Sequence, residues 1–376
     1  MKLKQFIQQE TVLTAAAVLA VVSAFFVPLD VQYLGYIDLR TLAILFSLMT
    51  VMAGLRRQGF FDDLGRALLS RTHSTFQLTL VLVGLCFFGS MFITNDVSLL
   101  TFVPFTFVVL SRLGADVRRA LLVPVVCMQT IAANLGSMLT PIGNPQNLYL
   151  YGKSGMSIGG FVLLMLPYTL VSLLLLLAWA ALVCRKASAA LSVDELVSSS
   201  ASQGDQKIIL LYLVLFAVCL LSVIRVLPYG IAFAAVLVCA FFADPRTLRT
   251  VDYSLLLTFV AFFIFIGNLG RIPAFSGWLQ EFLTGREVLV AVLASQVTSN
   301  VPAALLLSGF TAETQALIIG TNLGGLGTLI ASMASLISYR QIARELPQGK
   351  KRYFGLFTLS NLIFLAILLG VWFLLR

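Results

Sequence analysis

The amino-acid sequence predicts an all-α polytopic membrane protein with two inverted-topology repeats, re-entrant hairpins, unwound helices and about 9–11 spans. Of its 376 residues, 59% are hydrophobic and only 11% are charged, and the mean hydropathy is +0.99. Soluble domains contain about 25% charged residues. Apolar segments of about 20 residues, the length that a helix needs to cross a bilayer, recur along the chain. This pattern excludes soluble enzymes, nucleic-acid-binding proteins and disordered scaffolds.

The positive charges predict the orientation of the chain in the lipid bilayer. We place the N-terminus in the cytoplasm and treat residues 74–111 and 288–310 as hairpins that enter and leave on one side. Nineteen of the 25 Lys and Arg residues are then cytoplasmic and six are external, which satisfies the positive-inside rule. A complete crossing by residues 74–93 would move the arginines of 112–119 outside. We therefore expect a multi-pass protein of the plasma or inner membrane, and the net charge of +9 indicates no nucleic-acid partner.

A single hydrophilic stretch, rich in Ser and Ala, divides the chain near its middle. Its composition is typical of a flexible linker rather than of a folded domain. We therefore predict a first membrane repeat over residues 1–183 and a cytoplasmic linker over 184–206. A connecting span over 207–227 and a second, inverted membrane repeat over 228–376 complete the chain.

An internal repeat relates the two halves. Three pairs of segments follow one another in the same order on either side of the linker: 42–69 and 256–283, Thr94-Asn95-Asp96 and Thr298-Ser299-Asn300, and Asn134-Leu135-Gly136-Ser137 and Asn322-Leu323-Gly324-Gly325. The extra span between the halves turns the second half upside down. Inverted repeats with helices broken near the membrane midplane are typical of secondary transporters.

Several polar motifs have the form of a helix start at membrane depth. Asn144-Pro145 places a favoured cap residue before a proline in the first helical position. The other predicted caps are Asn95 or Asp96 for a segment from Val97, Asn300 before Val301-Pro302, and Thr328 for a segment from Leu329. Helix N-termini carry unpaired N–H groups and a positive dipole end, so they bind an anion without Lys or Arg. The alternative is that each motif is only a structural kink.

Glycines accompany these motifs. Gly136, Gly143, Gly324, Gly325 and Gly327 permit unwound backbone. Carbonyl oxygens of unwound backbone coordinate Na⁺ in transporters. We therefore expect part of a cation site near these residues.

Asp96 is the one carboxylate that the predicted topology places far from a span edge. Ionisable residues within membranes are functional candidates by default. Its side chain either binds a cation or carries a proton, or it caps the following half-helix, and the two roles are compatible. As an ion ligand it is grouped with Thr94, Gly136 and Gly324.

Chemistry other than transport finds little support in the sequence. The five cysteines are scattered and form no CxxC motif, and there is a single histidine. We find neither a set of metal ligands nor a nucleophile paired with a base. The chain is therefore predicted not to be an enzyme and to need no cofactor beyond a coupling Na⁺ or H⁺.

The motifs together resemble those of the ion transporter superfamily, which includes divalent anion:sodium symporters, citrate permeases, arsenite permeases and some Na⁺/H⁺ antiporters. The residues concerned are Thr94-Asn95-Asp96, Asn134 to Ser137, Thr140 to Asn147, Ser299-Asn300 and Thr321 to Gly324. The resemblance implies hairpins from opposite faces and two unwound helices around a midplane site. It also implies a scaffold that commonly forms a homodimer, and an elevator-like motion.

The hairpin tips show where the resemblance is incomplete. In the dicarboxylate branch both tips read Ser-Asn-Thr and contribute to sodium and carboxylate binding. Here they read Thr94-Asn95-Asp96 and Ser299-Asn300-Val301. The resemblance therefore implies binding roles for Asn95, Ser299 and Asn300. Asp96 and Val301 depart from the pattern, and an Asp at this position is more similar to the arsenite and antiporter branches.

We therefore expect a secondary active transporter that moves a small anion, a carboxylate or an oxyanion, by alternating access coupled to Na⁺ or H⁺. The expected substrate ligands are Asn95, Asn134, Ser137, Thr140, Asn144, Ser299, Asn300, Asn322 and Thr328. The alternatives are a Na⁺/H⁺ antiporter or an arsenite or metalloid exporter of the same superfamily, and, in a different class, an ion channel.

Overall fold

The computed structural model describes residues 10–70, 72–185 and 204–376. Most of the predicted linker therefore lies outside the described residues. Within them, all the regular secondary structure is helical, and the α-helices number nineteen. They are α1 (Thr11–Ala24), α2 (Gln32–Tyr36), α3 (Leu39–Arg57), α4 (Phe60–Leu69), α5 (Thr75–Gly89), α6 (Asn95–Ser111), α7 (Ala115–Ser137), α8 (Pro145–Ser154), α9 (Ile158–Arg185), α10 (Gln206–Val223), α11 (Tyr229–Ala243), α12 (Pro245–Leu248), α13 (Tyr253–Gly270), α14 (Pro273–Leu283), α15 (Glu287–Thr298), α16 (Asn300–Ser308), α17 (Thr314–Leu323), α18 (Met333–Glu345) and α19 (Lys350–Leu375).

Six helices are long and apolar enough to cross a membrane alone: α3, α7, α9, α10, α13 and α19 with the short turn before it. Five others, α1, α5, α6, α11 and α15, are apolar but shorter. The chain is therefore an all-α polytopic membrane protein, as the composition predicts.

Four of the short helices form two hairpins. Helix α5 packs against α6, and α15 packs against α16, with short tips between the arms. The first arms contain 15 and 12 residues. At about 1.5 Å per residue they are shorter than the roughly 30 Å of a bilayer core. The helix over 75–89 is thus one arm of a hairpin, and its position relative to the membrane stays a prediction.

The nine helices α1–α9 recur in the same order as α11–α19, with α10 between the two sets. Their packing is reciprocal, because α1 packs on α13 while α11 packs on α3. In the same way, α6 packs on α18 while α8 packs on α16. The two halves of the sequence therefore interleave in space. Their predicted boundaries and their opposite orientations in the membrane stay predictions.

Two ion pairs repeat this reciprocity. Asp30 of the first half contacts Arg271 of the second at 2.8 Å, and Arg57 of the first contacts Asp244 of the second at 3.4 Å. Asp244 follows Asp30 by 214 positions, and Arg271 follows Arg57 by 214 positions. The same interval separates the repeated segments 42–69 and 256–283. A hydrogen bond from Arg271 lowers the pKa of the Asp30 carboxyl. The ion pairs support the register of the predicted repeat.

The helices form two bodies. A frame contains α1–α4 and α10–α14, and a hairpin bundle contains α5–α9 and α15–α19. The two bodies meet where α3 contacts α8, where α4 contacts both arms of the first hairpin, and where α13 contacts α16. Each body takes helices from both halves of the sequence.

Gly136 lets the first hairpin approach α7 closely. A Cβ atom on this glycine would lie 2.0 Å from the backbone oxygen of Phe87. The equivalent Gly324 at the end of α17 faces Ser295 of the second hairpin, whose Oγ would lie 2.6 Å from an added Cβ. Gly136 belongs to the regular helix α7. The expectation that its backbone is unwound is therefore wrong, since the glycine serves helix packing.

We expect Gly136→Ala to destabilise the folded protein by about 1–3 kcal/mol or more, because the added methyl group meets backbone that has no room to move. Gly355→Ala is the matched control, since a Cβ at this position in α19 has no neighbour within 4 Å. The control should be neutral or stabilising by about 0.5–1 kcal/mol. Thermal unfolding of the purified proteins in detergent measures both. Equal melting temperatures for the two variants would contradict the packing role of Gly136.

Candidate functional site

The hairpin tips contact two helix breaks. The first break is the non-helical segment 138–144 between α7 and α8, and the second is the segment 324–332 between α17 and α18. The backbone N–H of Asn95, the first residue of α6, donates to the Gly143 carbonyl at 3.2 Å. The N–H of Asn300, the first residue of α16, donates to the Ala331 carbonyl at 3.0 Å. Gly143 lies between α7 and α8, and Ala331 lies between α17 and α18. Both tips and both breaks therefore come together in the hairpin bundle.

Asn134, in the last turn of α7, joins the first tip to the second half. Its Oδ1 accepts hydrogen bonds from Asn95 Nδ2 and from Ser332 Oγ, both at 3.0 Å. Its Nδ2 donates to Ser335 Oγ at 3.4 Å. All four side chains are buried. One amide thus connects the first hairpin, the end of α7 and the start of α18.

Asn322, in the last turn of α17, makes the reciprocal connection. Its Nδ2 donates to Asn147 Oδ1 at 2.6 Å, and its Oδ1 accepts a long bond from Asn144 Nδ2 at 3.5 Å. Asn144 Nδ2 also donates to Ser137 Oγ at 2.7 Å. We call the residues that bond around Asn134 and Asn322 the amide cluster: Asn95, Asn134, Ser137, Asn144, Asn147, Asn322, Ser332 and Ser335.

The tip asparagines are the first residues of their helices and not the caps that the sequence predicts. The cap positions are Thr94 and Ser299, and neither makes a side-chain capping bond. Asn95 Oδ1 accepts the Asp96 N–H at 2.9 Å, and Asn300 Oδ1 accepts the Val301 N–H at 3.0 Å. Helix α6 therefore begins at Asn95, two residues earlier than the predicted start at Val97. The shared pattern pairs Asn95 with Asn300, as the comparison of the two tips predicts. The repeat alignment of Thr94-Asn95-Asp96 with Thr298-Ser299-Asn300 is therefore wrong by one residue.

Ser299 at the second tip has a strained backbone. Its φ is +76° and its ψ is 155°, a region that is occupied almost only by glycine. Among the described residues, only Arg225 shares a positive φ without being glycine. The Ser299 side chain is buried beside Asn300. Strain of this kind concentrates at binding and catalytic sites.

The cap residues of the second half-helices point away from their helices. Helix α8 begins at Pro145 after Asn144, as predicted, but the Asn144 side chain makes no capping bond. Its Oδ1 is buried without a hydrogen-bond partner. Ser332, before α18, likewise donates to Asn134 and makes no capping bond. The first N–H groups of α8 and α18 therefore have no side-chain cap.

Thr328 is not part of the amide cluster. Helix α18 begins at Met333, so the expectation that Thr328 caps a segment from Leu329 is wrong. Thr328 is exposed, and its hydroxyl donates to the Gln296 carbonyl at 3.2 Å. The Gln296 Nε2 donates to the Gly324 carbonyl at 3.0 Å and to the Leu326 carbonyl at 2.9 Å. The Gly324 oxygen, an expected ion ligand, thus already has a partner within the protein.

The two predicted threonines of the first half lie beside its hairpin tip. Thr140 donates through Oγ1 to the Met91 carbonyl and so ties the break to the tip. Thr94 precedes α6, is partly exposed and makes no capping bond. Thr140 therefore holds the first helix break against the first hairpin tip. Thr94 lies at the partly exposed start of α6.

Asp96 breaks the symmetry of the site. It is the second residue of α6, and the second residue of α16 is Val301. The Asp96 Oδ1 is buried and has no hydrogen-bond partner. Among the described residues, no group of three or more His, Cys, Asp or Glu side chains forms a metal site. The unpartnered Asp96 oxygen therefore remains a candidate functional group.

The sequence reasoning missed Asn147, Ser332, Ser335, Gln296 and Gln146 as site residues. Gln146 is completely buried, and neither polar atom of its side chain has a partner. A repeated spacing could have revealed three of them. Asn144 and Asn147 follow Asn134 by ten and thirteen residues, and Ser332 and Ser335 follow Asn322 by the same intervals.

An apolar cavity of about 440 Å³ lies between the frame and the first hairpin. Its walls are aliphatic and aromatic side chains and glycines of α3, α4, α5, α6, α10 and the first tip. Such a lining offers an anion no hydrogen-bond donors. The amide cluster is therefore the better candidate for a polar substrate.

The amide cluster combines neutral donors and acceptors with the ends of broken helices. Its residues are amides and hydroxyls, without a Lys or Arg among them. The starts of α6, α8 and α18 each adjoin or contain a residue of the cluster, and α16 starts beside Ala331. Each of these starts is the positive end of a helix dipole. Neutral donors and acceptors of this kind can hydrogen-bond a small polar ligand without forming an ion pair.

Comparison with known proteins agrees with this architecture. The chain is 33% identical over 326 residues to the inner membrane protein YbiR of Escherichia coli, covering 84% of each chain. It is 30% identical over 313 residues to the uncharacterized transporter MJ0456 of Methanocaldococcus jannaschii, covering 83% of each. It is also 34% identical over 137 residues to the rice silicon efflux transporter LSI3, covering 36% of this chain and 27% of that protein.

A family model described as a citrate transporter matches residues 6–317. This match spans most of the chain, including both hairpins and the first helix break. The protein is a membrane transporter and belongs to the citrate transporter family.

Proposed function

We propose that the protein is a secondary active transporter that moves a small anion, a carboxylate or an oxyanion, coupled to Na⁺ or H⁺ by alternating access. The observation that carries this proposal is that each hairpin tip bonds to the break in its own half, while the amide cluster links the two breaks to each other. Inverted repeats with broken helices at the midplane are the usual architecture of such sites.

The substrate would take over hydrogen bonds that the amide cluster now makes internally. Asn95 and Asn300 would bind it from the two tips, with Ser299 beside them. Asn134, Ser137, Asn144 and Asn322 would bind it from the breaks. Helix N-termini favour negative charge by about 0.3–1 kcal/mol each at exposed sites and by more when partly buried. Selectivity for small anions would follow from the size of the space between the tips.

Asp96 would bind the coupling cation or accept the coupling proton. A cation at this carboxylate would reduce the repulsion between Asp96 and an approaching anion. Binding of the two ligands would then be mutually favourable, which is the thermodynamic requirement for coupled transport.

Alternating access would follow from movement of the hairpin bundle against the frame. Most helix packing lies within one body or the other, so the bundle can shift as a unit. We propose that the frame provides a homodimer contact and that the N-terminus is cytoplasmic, as the charge distribution predicts.

A Na⁺/H⁺ antiporter or a metalloid exporter is the second candidate. Asp96 favours it, because a carboxylate replaces the neutral hydroxyl of the dicarboxylate branch. The partial similarity to a protein named as a silicon efflux transporter supports the same alternative. In that case Asp96 would be the main ion carrier.

The substrate site is tested by Asn95→Ala and Asn300→Ala in liposomes reconstituted with purified protein. Uptake of radiolabelled carboxylates and oxyanions should fall by about 100-fold or more, as for loss of a positioned donor elsewhere. Asn361→Ala is the matched control, because Asn361 is a buried asparagine of α19 outside the cluster. Wild-type uptake by both tip variants would refute the site.

The coupling role is tested by Asp96→Asn, which removes the charge and keeps the shape. We expect anion exchange without a cation gradient to persist and accumulation driven by Na⁺ or a pH gradient to be lost. Loss of all Na⁺-driven and pH-driven flux, with no anion exchange in either protein, would instead select the antiporter. Accumulation at the wild-type level would exclude Asp96 from coupling.

A further inference from the structure

Arg225 lies in the turn between α10 and α11 and has a left-handed backbone, with φ of +66°. Its N–H donates to the Ser222 carbonyl, and the N–H of Val226 donates to the Leu221 carbonyl. This is the pattern by which helices end, and the left-handed position is usually glycine. An arginine here costs conformational free energy that a glycine would not. The contacts of the Arg225 side chain offset this cost.

The Arg225 side chain binds the end of α8. Its Nη2 donates to the Tyr151 carbonyl at 3.3 Å and to the Gly152 carbonyl at 3.2 Å. The guanidinium carbon also lies 5.6 Å from the centre of the Tyr151 ring. These carbonyls belong to the last turn of α8, where backbone oxygens lack helical partners and the dipole is negative. Arg225 therefore joins the frame to the hairpin bundle.

The same end of α8 also binds the second hairpin. Lys153 donates to the Ser308 carbonyl, and the hydroxyls of Tyr149 and Ser308 are 2.9 Å apart. Ser308 is the last residue of α16. Through α8, the frame thus also holds the outer end of the second hairpin.

The other end of α8 lies in the amide cluster, through Asn144 and Asn147. Helix α8 has ten residues and is about 15 Å long. A short straight helix transmits a displacement of one end to the other, so the contact with Arg225 is linked mechanically to the candidate site.

We propose that Arg225 is a latch between the frame and the hairpin bundle. Engaged, it holds α8 and the second hairpin against the frame and keeps the site closed on this side, which the charge distribution predicts to be external. Release of the latch accompanies movement of the bundle toward the other state. The inference rests on the proposed alternating access, and Arg225 acts as a positioning residue rather than as a substrate ligand.

The latch is tested by Arg225→Gly and Arg225→Asn, which remove the side chain and suit the left-handed backbone. Spin labels at Gly159→Cys in α9 and Gly230→Cys in α11 report the separation of the two bodies. Both positions are exposed, and an added Cβ has no neighbour closer than 3.9 Å. Cys239→Ser removes the one native cysteine that is not buried.

Pulsed electron–electron resonance on protein in nanodiscs measures the label distances without substrate. We expect one dominant distance with Arg225 present. Both variants should add a longer distance, with roughly a tenfold rise in the ratio of open to closed states. Arg225→Lys keeps the charge but not the two-carbonyl geometry, and should give an intermediate ratio. An unchanged distance distribution in both Arg225→Gly and Arg225→Asn would overturn the latch.

Transport provides the second readout. If the latch limits opening, Arg225→Gly should change the maximal uptake rate several-fold and leave the half-saturating substrate concentration nearly constant. Because the distances are measured without substrate, a failure of the proposed anion transport would not mimic a failure of the latch.

Discussion

Unpaired backbone groups are costly inside a bilayer, and this constraint organises the protein. Breaking two long helices at membrane depth frees N–H and carbonyl groups that lipid cannot satisfy. Each hairpin tip pairs one of these carbonyl groups in its own half. The Asn95 N–H donates to the Gly143 carbonyl, and the Asn300 N–H donates to the Ala331 carbonyl. The glycines of the break regions follow from the same requirement, since Gly136 and Gly324 let the hairpin arms come close enough to form these bonds.

The amide cluster places side-chain donors and acceptors between the two helix breaks, and so forms the candidate binding site. Its groups are neutral, and Asn144 Oδ1 has no hydrogen-bond partner. Next to the cluster, both polar atoms of the buried Gln146 side chain also lack a partner. The pseudo-symmetry of the site is incomplete. Asp96 corresponds to Val301, and Gln146 corresponds to Ala334. Of the two hairpin helices α6 and α16, only α6 has a carboxylate at its second position, which favours one cation site over two equivalent ones.

Much of the fold was predictable because membrane burial leaves strong signals in the sequence. The hairpins followed from short apolar segments and the positive-inside rule, and the break at Asn144-Pro145 followed from its cap motif. Thr328 was misplaced because an Asn-Gly-rich turn gives no sign of where the next helix resumes. Ser332 and Ser335 were missed because serine is common in membrane helices, and Gln296 because its role is to bond backbone carbonyls of a distant segment.

Binding of an anion between the amide cluster and the two hairpin tips is tested most directly by thermal unfolding of the purified protein. A panel of carboxylates and oxyanions is added with and without Na⁺, at two pH values, to the wild type and to Asn300→Ala. A ligand at 100 times its dissociation constant stabilises the folded state by about 2.7 kcal/mol. The account predicts that one anion raises the melting temperature of the wild type only when the coupling cation is present, and that Asn300→Ala abolishes the effect. Stabilisation by Na⁺ or by pH alone, with no response to any anion, would contradict it.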